Sequence, residues 1–409
     1  MKNSAPRIIP IVDERRTQQA PLGDPTRRLE ALPPLALYVH VPWCVRKCPY
    51  CDFNSHELIT DVPETDYLDA LAADLEQALP LIWGRQVHSV FIGGGTPSLL
   101  SAAALDRLLA LLRSHLSLWP DAEITLEANP GTAEAQKFNS YAASGVNRIS
   151  LGIQSFNDAH LAALGRIHDS RQARDAVEMA LGAVKRVNLD LMYGLPGQSP
   201  EQWAQDLSVA TGFGSEHLSL YQLTLEPQTV FAKYPPQLPA EQAIADMESI
   251  IDASVIGSGW ARYEVSAYAR ADKVCRHNMN YWTFGDYLGV GPGAHSKLSF
   301  PDQIVRQART RNPQQWIRLA KARSGEHIAE HRVLEDSDLP FEFMLNALRL
   351  KEGVPLSVFK ERTGLPAEIL RQTTALAVKR GLLDRDPTHL RATPLGWAHL
   401  NDLQALFLE

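Results

Sequence analysis

Three of the chain's four cysteines fall within one short run, Cys44-Val-Arg-Lys-Cys48-Pro-Tyr-Cys51. Thiolates at this spacing on one loop can hold three corners of a [4Fe-4S] cube, leaving the fourth iron open to a small molecule, an arrangement suited to chemistry rather than electron storage. The same trio could form a Cys3His zinc site with His40 or His56 as fourth ligand. Spacing leaves both readings open. So few cysteines in 409 residues do not make a secreted disulfide framework, and they point to a metal site in a reducing compartment.

The other residues able to do chemistry recur where apolar runs end. Phe91-Ile-Gly93-Gly-Gly95-Thr96-Pro97 closes one such run, and its bare glycine backbone lets a ligand approach N–H and C=O groups. Glu127 and Asn129 end the next, Gln154 the one after and Asp190 a further one, with Arg166 just beyond Gln154. Singly, each could be a cap or a turn residue, as Asn129-Pro-Gly or Asn157-Asp158 would be.

The elements that must position them alternate. Strands are predicted over Ala36–Val41, Val87–Ile92, Ile124–Ala128, Arg148–Ile153, Val187–Met192 and His217–Leu223. Helices lie between them, among them Glu64–Leu79 and Ala102–Leu116 with Ser101 as N-cap. Six βα units imply a parallel sheet curled as a partial (β/α)6 TIM-like barrel, whose strand C-termini carry the site. A helix near Ala240–Ile256 and a strand Arg262–Ala267 follow, then a Gly-rich segment, Leu288–Ala294, that fits no seventh regular unit.

Residues 1–34, rich in proline and arginine, read as a flexible arm, and 35–300 as the barrel core. Residues 301–336 read as a basic linker, because 303–332 carries Arg306, Arg309, Arg311, Arg318, Lys321, Arg323 and Arg332 against Glu326 and Glu330. From 337 to 409, three helical patterns, a hairpin-like stretch Leu382–Arg391 and a last amphipathic segment Pro394–Phe407 follow in winged-helix-like order. The net charge of −7 and the absence of a dense basic recognition helix argue for protein docking over nucleic acid. No apolar run has the length of a signal peptide or a membrane span, so the protein is expected in the cytoplasm.

The cysteine spacing with Tyr50 before the third thiol resembles the CxxxCxΦC signature of the radical S-adenosylmethionine (SAM) superfamily. That resemblance implies SAM chelated at the open iron and cleaved by a cluster electron to a 5′-deoxyadenosyl radical. It becomes specific to the oxygen-independent coproporphyrinogen III oxidase-like branch through Tyr38-Val-His40-Val-Pro-Trp-Cys44, the GGGTP turn, Glu127-Ala-Asn-Pro, Arg148-Ile-Ser-Leu-Gly-Ile-Gln154-Ser-Phe and Asp190-Leu-Met-Tyr-Gly-Leu-Pro. By resemblance, Cys44, Cys48 and Cys51 hold the cluster. Tyr38, Gly94, Gly95, Thr96, Glu127, Gln154, Arg166 and Asp190 contact SAM, and Tyr50 packs by its adenine.

Within that branch the decarboxylases carry a fourth cysteine two positions after the third and a longer N-terminal region. Here the run is Cys51-Asp52-Phe53, after an arm of 34 residues. Cys275-Arg276-His277-Asn278-Met279-Asn280-Tyr281-Trp282 instead resembles the HNxxYW segment of heme chaperones of the HemW type. The resemblance implies a protein that binds heme and passes it to acceptor hemoproteins or membrane cytochromes, with His277 or Cys275 as iron ligand, Arg276 for a propionate and Tyr281 and Trp282 for stacking. A homodimer is compatible with it. The alternatives are a coproporphyrinogen III oxidase of porphyrin biosynthesis and a zinc-stabilised scaffold. The basic 303–332 segment or the C-terminal module would supply the acceptor surface.

Overall fold

The computed structural model describes residues 29–131 and 135–408. The arm expected over 1–34 falls mostly outside them. Residues 29–34 run along the sheet, where Leu29 donates its backbone N–H to the Pro301 carbonyl and Pro34 accepts from Asp286.

Six βα units form as expected. Strands β1 (Leu35–Val41), β2 (Gln86–Gly94), β3 (Ser117–Ala128), β4 (Arg148–Gln154), β5 (Arg186–Tyr193) and β6 (His217–Gln222) are parallel and paired in chain order. Most are buried over nearly their whole length, as strands covered on both faces must be, while β3 is exposed over its first residues and β6 at its end. Helices α1 (Glu64–Ala78), α2 (Ala102–His115), α3 (Phe138–Ser144), α4 (Asp158–Ala163), α5 (Ser170–Ala183), α6 (Pro200–Gly212) and α7 (Glu241–Val255) return the chain between and after the strands. Ser101 caps α2 by accepting the Ala104 N–H, and Asn157, read as a turn, caps α4. Leu68, Leu71 and Leu75 of α1 enter the main core with Leu105, Leu108, Leu109 and Leu112 of α2.

The expected strand Arg262–Ala267 is instead two short strands, β7 (Ala261–Arg262) and β8 (Ala267–Ala269), folded antiparallel on each other and onto β6. The turn between them is held by Glu264, whose carboxylate accepts the Ser266 N–H. The Gly-rich segment holds a seventh parallel strand, β9 (Asp286–Val290), on the free side of β1. Gly289 of β9 lies against the His295 carbonyl, where a side chain would not fit. Beyond β9, strands β10 (His295–Ser299), β11 (Ile304–Arg309) and β12 (Ile328–Val333) extend the sheet antiparallel.

The segment expected as a basic linker is therefore sheet, with one helix, α9 (Pro313–Lys321). Its charges are largely consumed within the fold. Arg309 is fully buried against Asp74, Arg306 pairs with Glu342 and the Tyr287 hydroxyl, Lys321 pairs with Asp66, and Arg323 with Glu76. A basic docking face built on Arg306 and Arg309 is ruled out on that ground.

The C-terminal part has helices Leu339–Ala347, Leu356–Thr363 and Arg371–Lys379. The short strands Val354–Pro355 and His389–Leu390 pair antiparallel beside them, a winged-helix-like arrangement around its own core. The last amphipathic segment is two helices, Pro394–Ala398 and Leu400–Ala405, rather than one. No helix among the described residues is long and apolar enough to cross a membrane.

Candidate functional site

A cavity of about 500 Å³ opens at the C-terminal ends of the parallel strands. Cys44 follows β1 in a two-residue strand, Trp43–Cys44, that pairs with His56–Glu57 and closes the cysteine loop at its base. Within the loop the Cys51 N–H bonds the Cys48 carbonyl at 3.2 Å, and the Lys47 ammonium donates to the carbonyls of Phe53 and Ser55. All three thiols line the cavity. Thr96 Oγ1 lies 3.5 Å from Cys44 Sγ, Arg166 Nη1 3.7 Å from Cys48 Sγ, and Ser55 Oγ 3.8 Å from Cys51 Sγ. Burial pushes the Cys44 and Cys51 thiols above their ordinary pKa, so a metal taken up here must displace protons.

Neither candidate histidine completes a zinc site. His40 Nε2 is 2.9 Å from the Asn54 carbonyl and Nδ1 3.1 Å from the Tyr38 hydroxyl, and burial holds its pKa down at about 4. The His56 Nε2 sits 3.4 Å from Asn54 Oδ1. Among the described residues no three His, Cys, Asp or Glu side chains gather tightly enough to share one ion. Three thiols set around a roomy cavity suit a larger body such as an iron-sulfur cube.

Opposite the thiols, the glycine turn closes β2. Gly94 has φ of +115°, and a Cβ there would come within 2.6 Å of the His40 ring; one on Gly95 would meet the Trp43 carbonyl at 2.5 Å. Only bare backbone fits, and it faces the cavity. Glu127 Oε2 accepts the Gly94 N–H at 2.9 Å. Arg166 donates to Asn129 Oδ1 at 2.6 Å and to the Gly152 carbonyl at 2.8 Å. Gln154, at a positive φ of 68°, accepts from the Tyr221 hydroxyl, and Asp190 accepts from Asn188 and Ser150. Tyr50 lines the same space, its ring 6.4 Å from that of Phe231. Of the expected SAM residues Tyr38 stands apart. Its hydroxyl is tied to His40, and its ring faces an adjoining inner cavity of about 260 Å³.

Burial lifts Glu127 from the ordinary 4.5 to about 7, with the Gly94 N–H opposing and Asp190 adding to the rise. A carboxyl that ionises later in the fold than in the unfolded chain loses stability as pH rises, here between about 4.5 and 7, by about 1.4 kcal/mol per unit. Glu127→Gln should flatten that fall. Melting temperature against pH for both proteins is the check, and parallel curves would sink it.

A profile of the Radical SAM superfamily matches residues 38–210, and one of the HemN C-terminal domain matches 334–399. The heme chaperone HemW of Escherichia coli K12 is 46% identical over 379 residues, covering 92% of this chain and 99% of that protein. The chain belongs to the HemW family. The heme chaperone HemW of Haemophilus influenzae is 45% identical, with 92% and 98% covered. The mitochondrial radical S-adenosyl methionine domain-containing protein 1 of mouse is 39% identical over 315 residues, covering 75% of this chain and 71% of that protein. Among solved structures, the E. coli coproporphyrinogen III oxidase HemN, a radical SAM enzyme, superposes with a TM-score of 0.79 at 25% identity, covering 92% of this chain and 90% of that one.

In this HemW-family chain the Cys275–Trp282 run is dispersed by its helix, α8 (Arg276–Trp282). Cys275 is fully buried, its thiol 3.5 Å from Glu123, and burial pushes it up to about 12. Arg276 reaches the surface and pairs with Asp121. His277 is buried with both ring nitrogens engaged, Nδ1 at 3.1 Å from Ser89 Oγ and Nε2 at 3.1 Å from the Tyr281 hydroxyl. Burial drives its pKa down to about 3, so it stays neutral. Neither Cys275 nor His277 offers a free ligand to iron in this conformation, a correction to the expectation. Trp282 does face the main cavity, under the Arg349 guanidinium at 4.3 Å. His277→Ala should cost about 2–4 kcal/mol by leaving a cavity and unpaired partners. Heme uptake should persist, and a heme titration of the folded variant showing none would refute this.

Sequence reading missed Ser150, Ser219 and Tyr221, which line the cavity; strand alternation on β4 and β6 could have found them. It also missed Arg349, which arrives from the C-terminal part and pairs with Glu264 at 3.0 Å, a contact with no local signal.

Proposed function

We propose that the protein is a heme chaperone, which binds heme and delivers it to acceptor hemoproteins, and that its barrel carries a [4Fe-4S] cluster with SAM. The observation carrying this is near end-to-end similarity to HemW at 46% identity, against 25% to the coproporphyrinogen oxidase of the same fold. Phe53 at the position of the oxidases' extra cysteine agrees with it. The relatives' names give no support to a place in porphyrin biosynthesis.

Cys44, Cys48 and Cys51 would hold the cluster, which when bound supplies an open iron and an electron for the sulfonium. The chain's own residues would do the positioning. The Gly94 and Gly95 backbone and Thr96 would receive the methionine end, Glu127 and Asp190 the ribose hydroxyls and positive charge, Gln154 and Arg166 the remaining polar groups, and Tyr50 the adenine. Tyr38 would act at one remove, by orienting His40. A reducing compartment such as the cytoplasm suits the free thiols. A homodimer and a membrane cytochrome as acceptor belong to this reading as further proposals.

The test is anaerobic reconstitution of the full chain with iron and sulfide, heme titration with and without SAM, and transfer to an apo-hemoprotein followed by its absorption. Stable uptake with transfer is expected. Vinyl groups formed from coproporphyrinogen III, with no heme uptake, would replace this reading with the oxidase.

A further inference from the structure

Beside the main cavity, the inner cavity of about 260 Å³ is lined by Tyr38, Phe91, His277, Tyr281 and Arg148. Glu127, Ser150, Asp190, Ser219 and Asn278 line both cavities, so the two adjoin. Arg148 is only 2% exposed, yet its guanidinium makes no hydrogen bond or ion pair among the described residues. The other arginines nearby each make hydrogen bonds to the protein, although Arg166 Nε has no partner. Arg186 pairs with Glu123 and donates to the carbonyls of Lys273 and Val274, and Arg166 donates to Asn129 and Gly152.

Glu123 and Asp190 act on this guanidinium through their charge, but no side chain hydrogen-bonds it, and its five donors form a fork shaped for a carboxylate. The groups around it are already spent. Glu123 is held by Arg186, Asp190 by Asn188 and Ser150, and His217 by Asn188 and Tyr263, while Cys275 turns to Glu123. The wall shared with the main cavity is polar, and the aromatic walls belong to the inner cavity alone, with the Phe91 ring 5.0 Å from His277 and 6.3 Å from Tyr38. A small cavity with a polar mouth, aromatic walls and a guanidinium that no side chain hydrogen-bonds fits a short arm with a terminal carboxylate, and the volume is too small for a macrocycle.

We propose that the inner cavity is a carboxylate subsite, in which Arg148 receives the end of a flexible arm whose parent molecule sits in the main cavity. The parent is a heme propionate if the chaperone reading holds, and the methionine end of SAM supplies the same chemistry as the other source.

The first test needs neither parent. Carboxylate-labelled propionate added to the full chain should show a shifted or broadened NMR resonance. Arg148→Gln should abolish it, and Phe91→Trp, which narrows the inner cavity and keeps Arg148, should weaken binding by about tenfold or more. Iron uptake on reconstitution reports that each variant's barrel is intact. Unperturbed propionate with the wild type, or equal binding by wild type and both variants, overturns the subsite even if heme binds and transfers normally. The second test names the source. Heme should bind the wild type about tenfold more tightly than heme dimethyl ester and lose that preference in Arg148→Gln. Loss of SAM affinity in the variant, with no preference for free heme, assigns the arm to SAM, and no change in either affinity overturns the proposal.

Discussion

Replacing Cys48 by serine should leave the protein colourless after anaerobic reconstitution with iron and sulfide, where the wild type is expected to turn brown. The variant should also fail to bind SAM. Serine keeps the loop's backbone, including the Cys51 N–H to residue 48 carbonyl bond and the Lys47 bonds, but removes the sulfur beside Arg166. A cube held by three protein sulfurs has none to spare. Unfolding of the metal-free variant should shift by less than about 1 kcal/mol, since the thiol is at the rim of a cavity rather than in a core. Arg166→Ala, which removes the donor to Cys48 Sγ but no ligand, should weaken cluster retention by about 10–100-fold instead of abolishing it. Iron and sulfide analysis of the desalted proteins decides. A full complement of iron in Cys48→Ser, or stoichiometric zinc in the wild type as purified, would falsify the cluster assignment.

Asp74→Ala should destabilise the fold by about 3–5 kcal/mol, the cost of stranding a buried charge. Asp74 sits on α1 with no solvent exposure, its Oδ1 3.3 Å from Arg309 Nε and 3.1 Å from His327 Nε2, and its Oδ2 accepting the Gly291 N–H at 3.0 Å. One side chain thus ties α1 to β11, to the loop before β12 and to the turn after β9. Burial alone would raise its pKa, but Arg309 and His327 outweigh it and hold the carboxyl below its ordinary 3.8. The pairing therefore stabilises the fold fully above about pH 4 and is lost as pH falls through the lowered value. Urea unfolding at neutral pH and at pH about 3 measures both effects, and the gap between wild type and variant should shrink in acid. Arg309→Ala should cost a similar amount, and the double variant less than the two together, because both break one network. Additive losses would show that the two charges act independently.

Much of the barrel was legible because its strands announce themselves. Leu35–Val41 is an apolar run ended by Pro42, Arg148–Gln154 is a largely β-favouring run, and each is followed by a helix. The site was legible by the same logic, since Gly94, Glu127, Gln154 and Asp190 all stand at or near strand C-termini. What failed were inferences needing a partner distant in sequence. Gly289 made β9 look like a loop, although that glycine is what lets the strand pass the His295 carbonyl. Arg306 and Arg309 counted as surface charge because a count cannot see Asp74 or Glu342. His277 carries the right chemistry for a ligand, but Ser89 and Tyr281 take its ring nitrogens.

The placement of β9 bears on how the chain is made. The outer edge of β1 is sealed only when Asp286–Val290 docks in parallel, with Leu35 opposite Asp286. The β9 strand follows the whole six-unit barrel in the chain, so a nascent polypeptide leaving the ribosome carries β1 with a row of unpaired amides until its late segments emerge. Exposed apolar edges of that kind recruit other chains, which makes the half-synthesised barrel a natural client for folding helpers and makes truncation before β9 a recipe for aggregates.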